Sequence, residues 1–196
     1  NTSGDWLYAP EKTLFYGITD EAWDYITMQQ SSGNSGIEGS YDGFLSKLIG
    51  YVNALKSNRT AKLIWHMTWA YQQDSEHEFF SRYNKNQADM FHAIVSALKN
   101  KVEPTGAFSL IIPTGTALQN MRSTFIGDTL TRDGFHLSYK LGRYIAGLTW
   151  FYAITGENID DASFTPDENE VPPTLLPIIR NAIKSAVASP YKITTP

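Results

Sequence analysis

The residues best suited to chemistry in this chain are Asp133 and His136, in the segment TRDGFHLS at 131–138. Gly134 between them indicates a tight turn, and a strongly helical run follows at 139–155. An imidazole can take a proton from a hydroxyl, and a neighbouring carboxylate can fix its tautomer. The pair therefore suggests the base and its orienting group in an acyl-transfer site. Because the Asp-x-x-His spacing is common, this function depends on what the rest of the chain adds.

The composition is that of a globular protein of one domain. The 196 residues are 42% hydrophobic and 18% charged, and no apolar run approaches the roughly 20 residues that span a bilayer. The net charge of −4 and the scattered basic residues argue against a nucleic-acid surface. No cysteine is present, which excludes disulfides, thiolate metal sites and cysteine nucleophiles.

The hydrophobic pattern alternates between strands and helices. Short apolar and β-branched runs predict buried strands at 23–29, 62–66 and 107–112. Apolar residues at helical spacing predict helices at 14–22, 41–56, 87–99, 116–122, 139–155 and 175–189. Strict alternation calls for a parallel sheet with helices on both faces, so the expected fold class is α/β.

Three segments are expected to lie outside this regular pattern. Residues 1–13 are polar with Gly and Pro and predict a loop, and the charged segment 72–86 predicts an exposed loop or lid. An acidic linker with prolines occupies 157–173. We therefore divide the chain into a core at 1–156 and, at 157–196, a linker with a C-terminal amphipathic helix that packs on the core.

Polar and aromatic side chains stand at two strand ends. The first strand runs into the loop QSSGNSG at 30–36, where every residue is small or polar. Open α/β sheets bind their ligands at the carboxyl ends of the strands. His66 ends the second strand and is interpreted as a structural, half-buried histidine. Trp69 is a candidate for the wall of a substrate cleft, with simple packing as the alternative.

Four segments resemble the SGNH (GDSL-like) hydrolase superfamily, and within it a bacterial branch of unknown function. They are WDYITMQQSSGNSG at 23–36, KLIWHMTWAY at 62–71, IIPTGTALQNMR at 111–122 and TLTRDGFHLSYKLGRYIAGLTWFYAITG at 129–156. With the tail SPYKIT at 189–194, the resemblance covers nearly the whole chain. It implies a three-layer α/β/α fold of flavodoxin-like type and a Ser-His-Asp hydrolase.

The resemblance also implies a role for each candidate residue. His136 would be the base and Asp133 its orienter. The oxyanion donors of the superfamily map onto the loop after the first strand, where other members carry an Asn-Asp pair. Gln29 is the first candidate here, and Ser32 and Asn34 follow. An amide NH2 at a strand end suits this role, which contributes about 3 kcal/mol.

The nucleophile is the main departure from the superfamily. Its members begin with a strand and a Gly-x-Ser turn, and neither precedes Trp23. We therefore expect the serine and the first two strands to come from an N-terminal part of the same domain or from another chain. An α/β domain without them would leave a sheet edge bare. Ser35, which follows a strand and precedes a helix, is the alternative nucleophile.

The expected function is therefore a serine esterase that acts on small acyl groups, with O-acetyl groups on carbohydrates as the expected substrates. The resemblance implies no metal and no organic cofactor. A function of a different class stays open: a carbohydrate-binding or structural module on a degenerate hydrolase scaffold. Because relatives of this kind are commonly secreted or attached to the surface, we expect export to the periplasm or the cell surface.

Overall fold

The sheet has three parallel strands in the order β1-β2-β3. The computed structural model describes residues 12–162, 164, 166 and 171–196. The strands are β1 (Tyr25–Met28), β2 (Lys62–His66) and β3 (Phe108–Ile112). Each strand is followed by helical segments before the next begins, so all three carboxyl ends lie at one edge of the sheet. The expected α/β class with a parallel sheet is confirmed, and the fold is flavodoxin-like.

The α-helices of the described residues lie where the apolar spacing predicts them. They are α1 (Leu14–Thr19), α2 (Phe44–Leu55), α3 (Gln87–Ala97), α4 (Thr114–Arg122), α5 (Leu141–Thr155) and α6 (Leu176–Ala188). The largest differences are three residues long: α2 begins three residues after its predicted start, and α1 ends three residues before its predicted end. There the Gly17 carbonyl accepts a hydrogen bond from the Trp23 indole N–H at 2.9 Å. The indole N–H takes the place of the backbone N–H that would bond to this carbonyl in a longer helix, and so the helix ends.

Helices cover the sheet on two sides. The side chains of β2 alternate between the faces, as strand geometry requires. Leu63 and Trp65 belong to a hydrophobic cluster formed with α1, α2 and α3. A second cluster joins α4, α5 and α6, and His66 faces this side with its ring centre 4.9 Å from that of Trp150 on α5.

The prediction that β1 is a buried strand is wrong for one of its faces. Tyr25 and Thr27 are exposed, although Ile64, which pairs with Thr27 in the neighbouring strand, is fully buried. No described residue covers this face of β1 as α5 covers β2. A groove of about 630 Å³ runs along the strand, with apolar side chains such as Trp23 and Leu48 in its wall.

The segment at 72–86 is not an exposed loop throughout, so that prediction is wrong for its second half. A 3-10 helix forms over Glu78–Tyr83, and Phe80 is completely buried in the cluster with α2 and α3. The Tyr83 hydroxyl donates to the Gly33 carbonyl at 3.1 Å and accepts from the Gly36 N–H at 3.0 Å. Two aromatic rings thus anchor an otherwise polar segment to the core.

Parts of two predicted segments lie outside the described residues. These are 1–11 of the N-terminal loop, and 163, 165 and 167–170 of the acidic linker. In the part of the chain that the structure describes, no helix has the length and apolar character needed to cross a membrane.

Candidate active site

Asp133 and His136 are joined within one short turn. Oδ2 of Asp133 lies 2.7 Å from Nδ1 of His136, and Oδ1 accepts hydrogen bonds from the backbone N–H groups of His136 and Phe135 at 2.7 and 3.3 Å. An antiparallel bridge between Thr131 and Leu137 closes the turn. Because the carboxylate accepts the proton on Nδ1, Nε2 of the neutral ring is left as a free acceptor. This is the arrangement that a general base needs.

The electrostatics of the turn keep the carboxylate charged. Desolvation alone would raise the pKa of Asp133, but hydrogen bonds from the His136 side chain and from the backbone N–H groups of His136 and Phe135 lower that pKa to about 2. The His136 side chain is 53% exposed. Its Nε2 has no hydrogen-bond partner among the described residues, so it is open to a hydroxyl or a water molecule.

Glycine is required at position 134. Its φ is +86°, in the left-handed region, and a Cβ there would lie 3.1 Å from the Ser75 Cα. The Gly134 carbonyl accepts a hydrogen bond from the Gln72 N–H at 2.8 Å, and the Thr131 hydroxyl donates to the Gln72 side-chain oxygen. The beginning of the 72–86 segment therefore braces the turn that carries Asp133 and His136, which we call the dyad.

Trp69 braces the same turn from the other side. Its indole N–H donates to the Phe135 carbonyl at 2.7 Å, and its ring is partly buried against the cluster of α4, α5 and α6. Of the two expectations for Trp69, packing describes these contacts better than a cleft wall does. Tyr71 is completely buried, with its ring centre 5.7 Å from that of Phe135.

Gln29, the first candidate for an oxyanion donor, lies directly after β1 with its side chain exposed. Its Oε1 is 2.7 Å from Nδ1 of His66, and Nε2 of the same ring is 2.9 Å from the Thr114 hydroxyl. Among the described residues, the Gln29 NH2 group has no partner. An unengaged, exposed amide at a strand end can donate to a developing oxyanion.

The buried ring behind Gln29 is neutral at neutral pH. His66 is only 7% exposed, and burial lowers its pKa to about 4. The sequence indicated a structural histidine here, and both ring nitrogens do have partners. Thr114 carried no recognisable signal, because a threonine after Ile112-Pro113 is ordinary in a loop that starts a helix.

The other residues of the loop after β1 are already engaged. Ser32 shares a hydrogen bond of 2.9 Å with the Tyr71 hydroxyl, and the side-chain oxygen of Asn34 accepts from Arg82. Ser35 is 2% exposed, and its hydroxyl donates to the Ser32 carbonyl at 2.7 Å. A base would have to remove the very proton that this bond occupies, so the geometry disfavours Ser35 as a nucleophile.

The two groups of candidates meet through Trp69. Its ring centre is 6.3 Å from that of His66, behind Gln29, while its N–H holds the carbonyl of Phe135, next to His136. A second route runs from Ser32 through Tyr71 to the Phe135 ring. The fold therefore brings these candidates together at the carboxyl ends of the strands, although about a hundred residues separate them in the sequence.

Arg122 braces the segment that leads to the turn. Its Nε is 2.7 Å from Oδ1 of Asp128, and its guanidinium also donates to the Ala70 carbonyl at 3.0 Å. Asp128 in turn accepts from the Gln73 N–H at 2.7 Å. Within the described residues, no group of three or more His, Cys, Asp or Glu side chains is arranged to hold a metal ion.

Comparison with known protein families decides where this chain belongs. Residues 8–186 match the family model DUF4886, a domain of unknown function. The chain belongs to the DUF4886 family. A crystal structure of a DUF4886 family protein from Bacteroides uniformis ATCC 8492 is 39% identical, with a TM-score of 0.87 over 93% of this chain and 69% of that one.

A second solved structure extends the comparison beyond DUF4886. It is a candidate SGNH hydrolase from Slackia heliotrinireducens, 19% identical, with a TM-score of 0.52 over 71% of this chain and 70% of that one. At this identity the likeness shows the fold. It agrees with the expected resemblance to a branch of unknown function within the SGNH superfamily. No curated protein matches the DUF4886 chain.

Proposed function

We propose that this DUF4886 protein is a carboxylic ester hydrolase of SGNH type that removes small acyl groups. His136 is the general base and Asp133 its orienter, and the Gln29 amide stabilises the oxyanion, with Ser32 and Asn34 as the further candidates nearby. The observation that carries the proposal is the dyad itself. Its carboxylate is fixed by three hydrogen bonds, and Nε2 of the half-exposed His136 ring has no partner among the described residues.

The reaction follows from these positions. A serine hydroxyl attacks the ester carbonyl while its proton passes to Nε2 of His136, and Asp133 stabilises the resulting imidazolium. The Gln29 NH2 group donates to the oxyanion of the tetrahedral intermediate. The imidazolium then protonates the departing alcohol. Water attacks the acyl-enzyme, again giving its proton to His136, which releases the carboxylic acid and restores the serine.

We propose that the serine of this mechanism is not among the residues that the structure describes. Among the described residues, no serine hydroxyl is within hydrogen-bond distance of Nε2 of His136, and Ser35 is buried with its proton engaged. β1 is an edge strand of the sheet, and the groove of about 630 Å³ along it supplies room for a further strand. We propose that an N-terminal part of the same domain, or another chain, fills this space and brings the serine.

One exposed aromatic side chain near the dyad supports the proposed substrate class. Tyr139 lies three residues after His136 and is 66% exposed, and the guanidinium groups of Arg132 and Arg143 lie 4.5 and 4.6 Å from its ring centre. Because these guanidinium groups lie over the ring, its exposed edge and hydroxyl, rather than a free face, are the parts that can contact a sugar. We therefore propose O-acetyl groups of carbohydrates as substrates and, with them, an exported protein.

Labelling with a fluorophosphonate tests the proposal on the full-length protein. One serine adduct is expected, mass spectrometry of the labelled peptide should place it outside residues 1–196, and His136→Ala should prevent it. Ser35→Ala is the matched control and should keep the adduct. A folded protein without any adduct would instead favour the alternative function, a carbohydrate-binding or structural module on the hydrolase scaffold.

A further inference from the structure

Gln29, His66 and Thr114 form a relay that joins the carboxyl ends of all three strands. Gln29 follows β1, His66 ends β2, and Thr114 begins α4 after β3. The two hydrogen bonds measure 2.7 and 2.9 Å. His66 is 7% exposed and Thr114 is completely buried, whereas the Gln29 side chain emerges at the surface. Through these two hydrogen bonds, buried residues restrict the orientation of the exposed Gln29 side chain.

A neutral imidazole allows two arrangements of this relay. In the first, Nδ1–H of His66 donates to Oε1 of Gln29, and the NH2 group of the amide faces outwards. In the second, the proton is on Nε2, and the amide is turned so that its NH2 group donates to Nδ1. The carbonyl oxygen of Gln29 would then face outwards. Only the first arrangement can donate to an oxyanion, because the second presents a partial negative charge to it.

Thr114 selects the first arrangement. When Nε2 carries no proton, the Thr114 hydroxyl donates to it, and both groups are satisfied. When Nε2 carries the proton, the hydroxyl must accept instead, and its own hydrogen needs another acceptor. Among the described residues the Thr114 hydroxyl has no partner besides His66. A completely buried O–H without an acceptor is unfavourable, so the tautomer with the proton on Nδ1 prevails.

The backbone holds Thr114 against the ring. The Gly115 N–H donates to the Met67 carbonyl at 3.1 Å, and the Met67 N–H donates to the Ile112 carbonyl at 3.0 Å. A Cβ at Gly115 would lie 2.2 Å from the Thr68 carbonyl oxygen, so the start of α4 approaches the end of β2 as closely as glycine allows. The distance between Thr114 and His66 is thereby set by the main chain.

We infer that His66 and Thr114 are positioning residues, which fix the Gln29 amide with its NH2 group towards the oxyanion. This inference deepens the proposed function and rests on it. It assigns His66 no contact with the substrate. All of its effect passes through Gln29, and that restriction makes the inference testable.

A double-mutant cycle on the intact protein, with p-nitrophenyl acetate as substrate, provides the test. Gln29→Ala should lower kcat by about 10²–10³-fold. His66→Leu should lower kcat by about 10²-fold with KM unchanged, because the amide is present but no longer oriented. In the Gln29→Ala background, His66→Leu should have almost no further effect on kcat. His66→Asn, whose amide N–H can replace Nδ1–H, should restore most of the activity.

The Thr114 pair keeps the test decisive if His66→Leu fails to fold. Thr114→Val preserves the shape but removes the hydroxyl, and should lower kcat in the wild-type background but not in Gln29→Ala. Thr114→Ser keeps the hydroxyl and should retain kcat. Chemical denaturation of each variant shows whether the fold is intact.

Three outcomes separate this inference from the proposed function. Losses in kcat that multiply between His66→Leu and Gln29→Ala would overturn the inference, since His66 would then act independently of the amide. Unchanged kcat in Gln29→Ala would also overturn it. Both results leave the base and its orienter untouched. Full activity in His136→Ala would remove the proposed function, and the inference with it.

Discussion

The two halves of the candidate site are held in place by different means. Asp133 and His136 are exposed and are joined by hydrogen bonds inside one turn of seven residues, from Thr131 to Leu137. Gln29 is held by a buried ring at the end of β2, and that ring is held by the Thr114 hydroxyl at the start of α4. The dyad is thus a local structure, whereas the amide depends on the tertiary fold.

The two halves are therefore sensitive to different kinds of damage. The turn can form its hydrogen bonds from its own residues alone. It needs contacts with other segments only to orient the His136 ring towards the site. A relay across three strand ends exists only when the sheet has its native register. Damage to the sheet should therefore disorient Gln29 before it separates Asp133 from His136.

The largest effect is expected on the dyad side, from Asp133→Asn in the full-length protein. The amide can still accept from the backbone N–H of His136, so the turn is kept. Its NH2 group, however, favours the wrong imidazole tautomer, and kcat should fall by about 10³–10⁴-fold. Steady-state kinetics with p-nitrophenyl acetate check this, with circular dichroism as the control for folding. A loss below tenfold would show that the carboxylate does not orient the base.

In mild acid, protonation of His66 in the relay should cause most of the loss in the free energy of unfolding. The pKa of His66 is lowered to about 4 in the folded protein, against about 6.5 in the unfolded chain. The unfolded state therefore binds more protons between these values, and the free energy of unfolding should fall as the pH drops from 6.5 to 4. The loss is on the order of 3 kcal/mol.

Urea denaturation between pH 4 and pH 7 measures this loss. His66→Asn should flatten the curve, whereas the matched control His92→Asn, at an exposed position on α3, should leave it unchanged. Asp133 affects the free energy of unfolding only at lower pH. Because the pKa of Asp133 is lowered to about 2, its contribution is present above its unfolded value of about 3.9 and is lost only below it. An equal pH slope in wild type and His66→Asn would contradict the assignment.

Gly134→Ala sharpens the comparison on the dyad side. Alanine at φ +86° is strained, and its Cβ would press on Ser75, so a loss of about 2 kcal/mol in unfolding free energy is expected. Gly127→Ala is the matched control, since its φ is +60° but no atom lies within 4 Å of the added Cβ. Thermal and urea denaturation should show the larger loss for Gly134→Ala. Equal losses would mean that Ser75 can move aside.

The smallest effect is expected from Trp69→Phe, which removes one hydrogen bond to the Phe135 carbonyl. The ring remains, so unfolding free energy should fall by only about 1 kcal/mol. Because the turn is then less well held, kcat should fall severalfold, and KM should change less. Trp150→Phe is the control, because this indole also packs against His66 but makes no hydrogen bond to the turn among the described residues. An equal effect on kcat in both variants would place the influence of Trp69 in general packing.

Much of the fold was predictable because its signals are short in range. The parallel strands and the helices lie where apolar spacing placed them, and β2 and α3 begin at the predicted residues. The two errors about burial have one cause. Burial depends on what packs against a segment, so neither the exposed face of β1 nor the buried Phe80 within a polar segment could be deduced from local pattern.

The sequence by itself determined the dyad, because Asp133 and His136 are three residues apart and glycine between them permits the turn that joins them. It also placed Gln29 at a strand end. Only the tertiary structure decided what fixes that amide. His66 is 37 residues from Gln29 and Thr114 another 48 beyond, and contacts at such distances arise only when parallel strands align their carboxyl ends. Local spacing encodes local hydrogen bonds, and the register of the sheet encodes the rest.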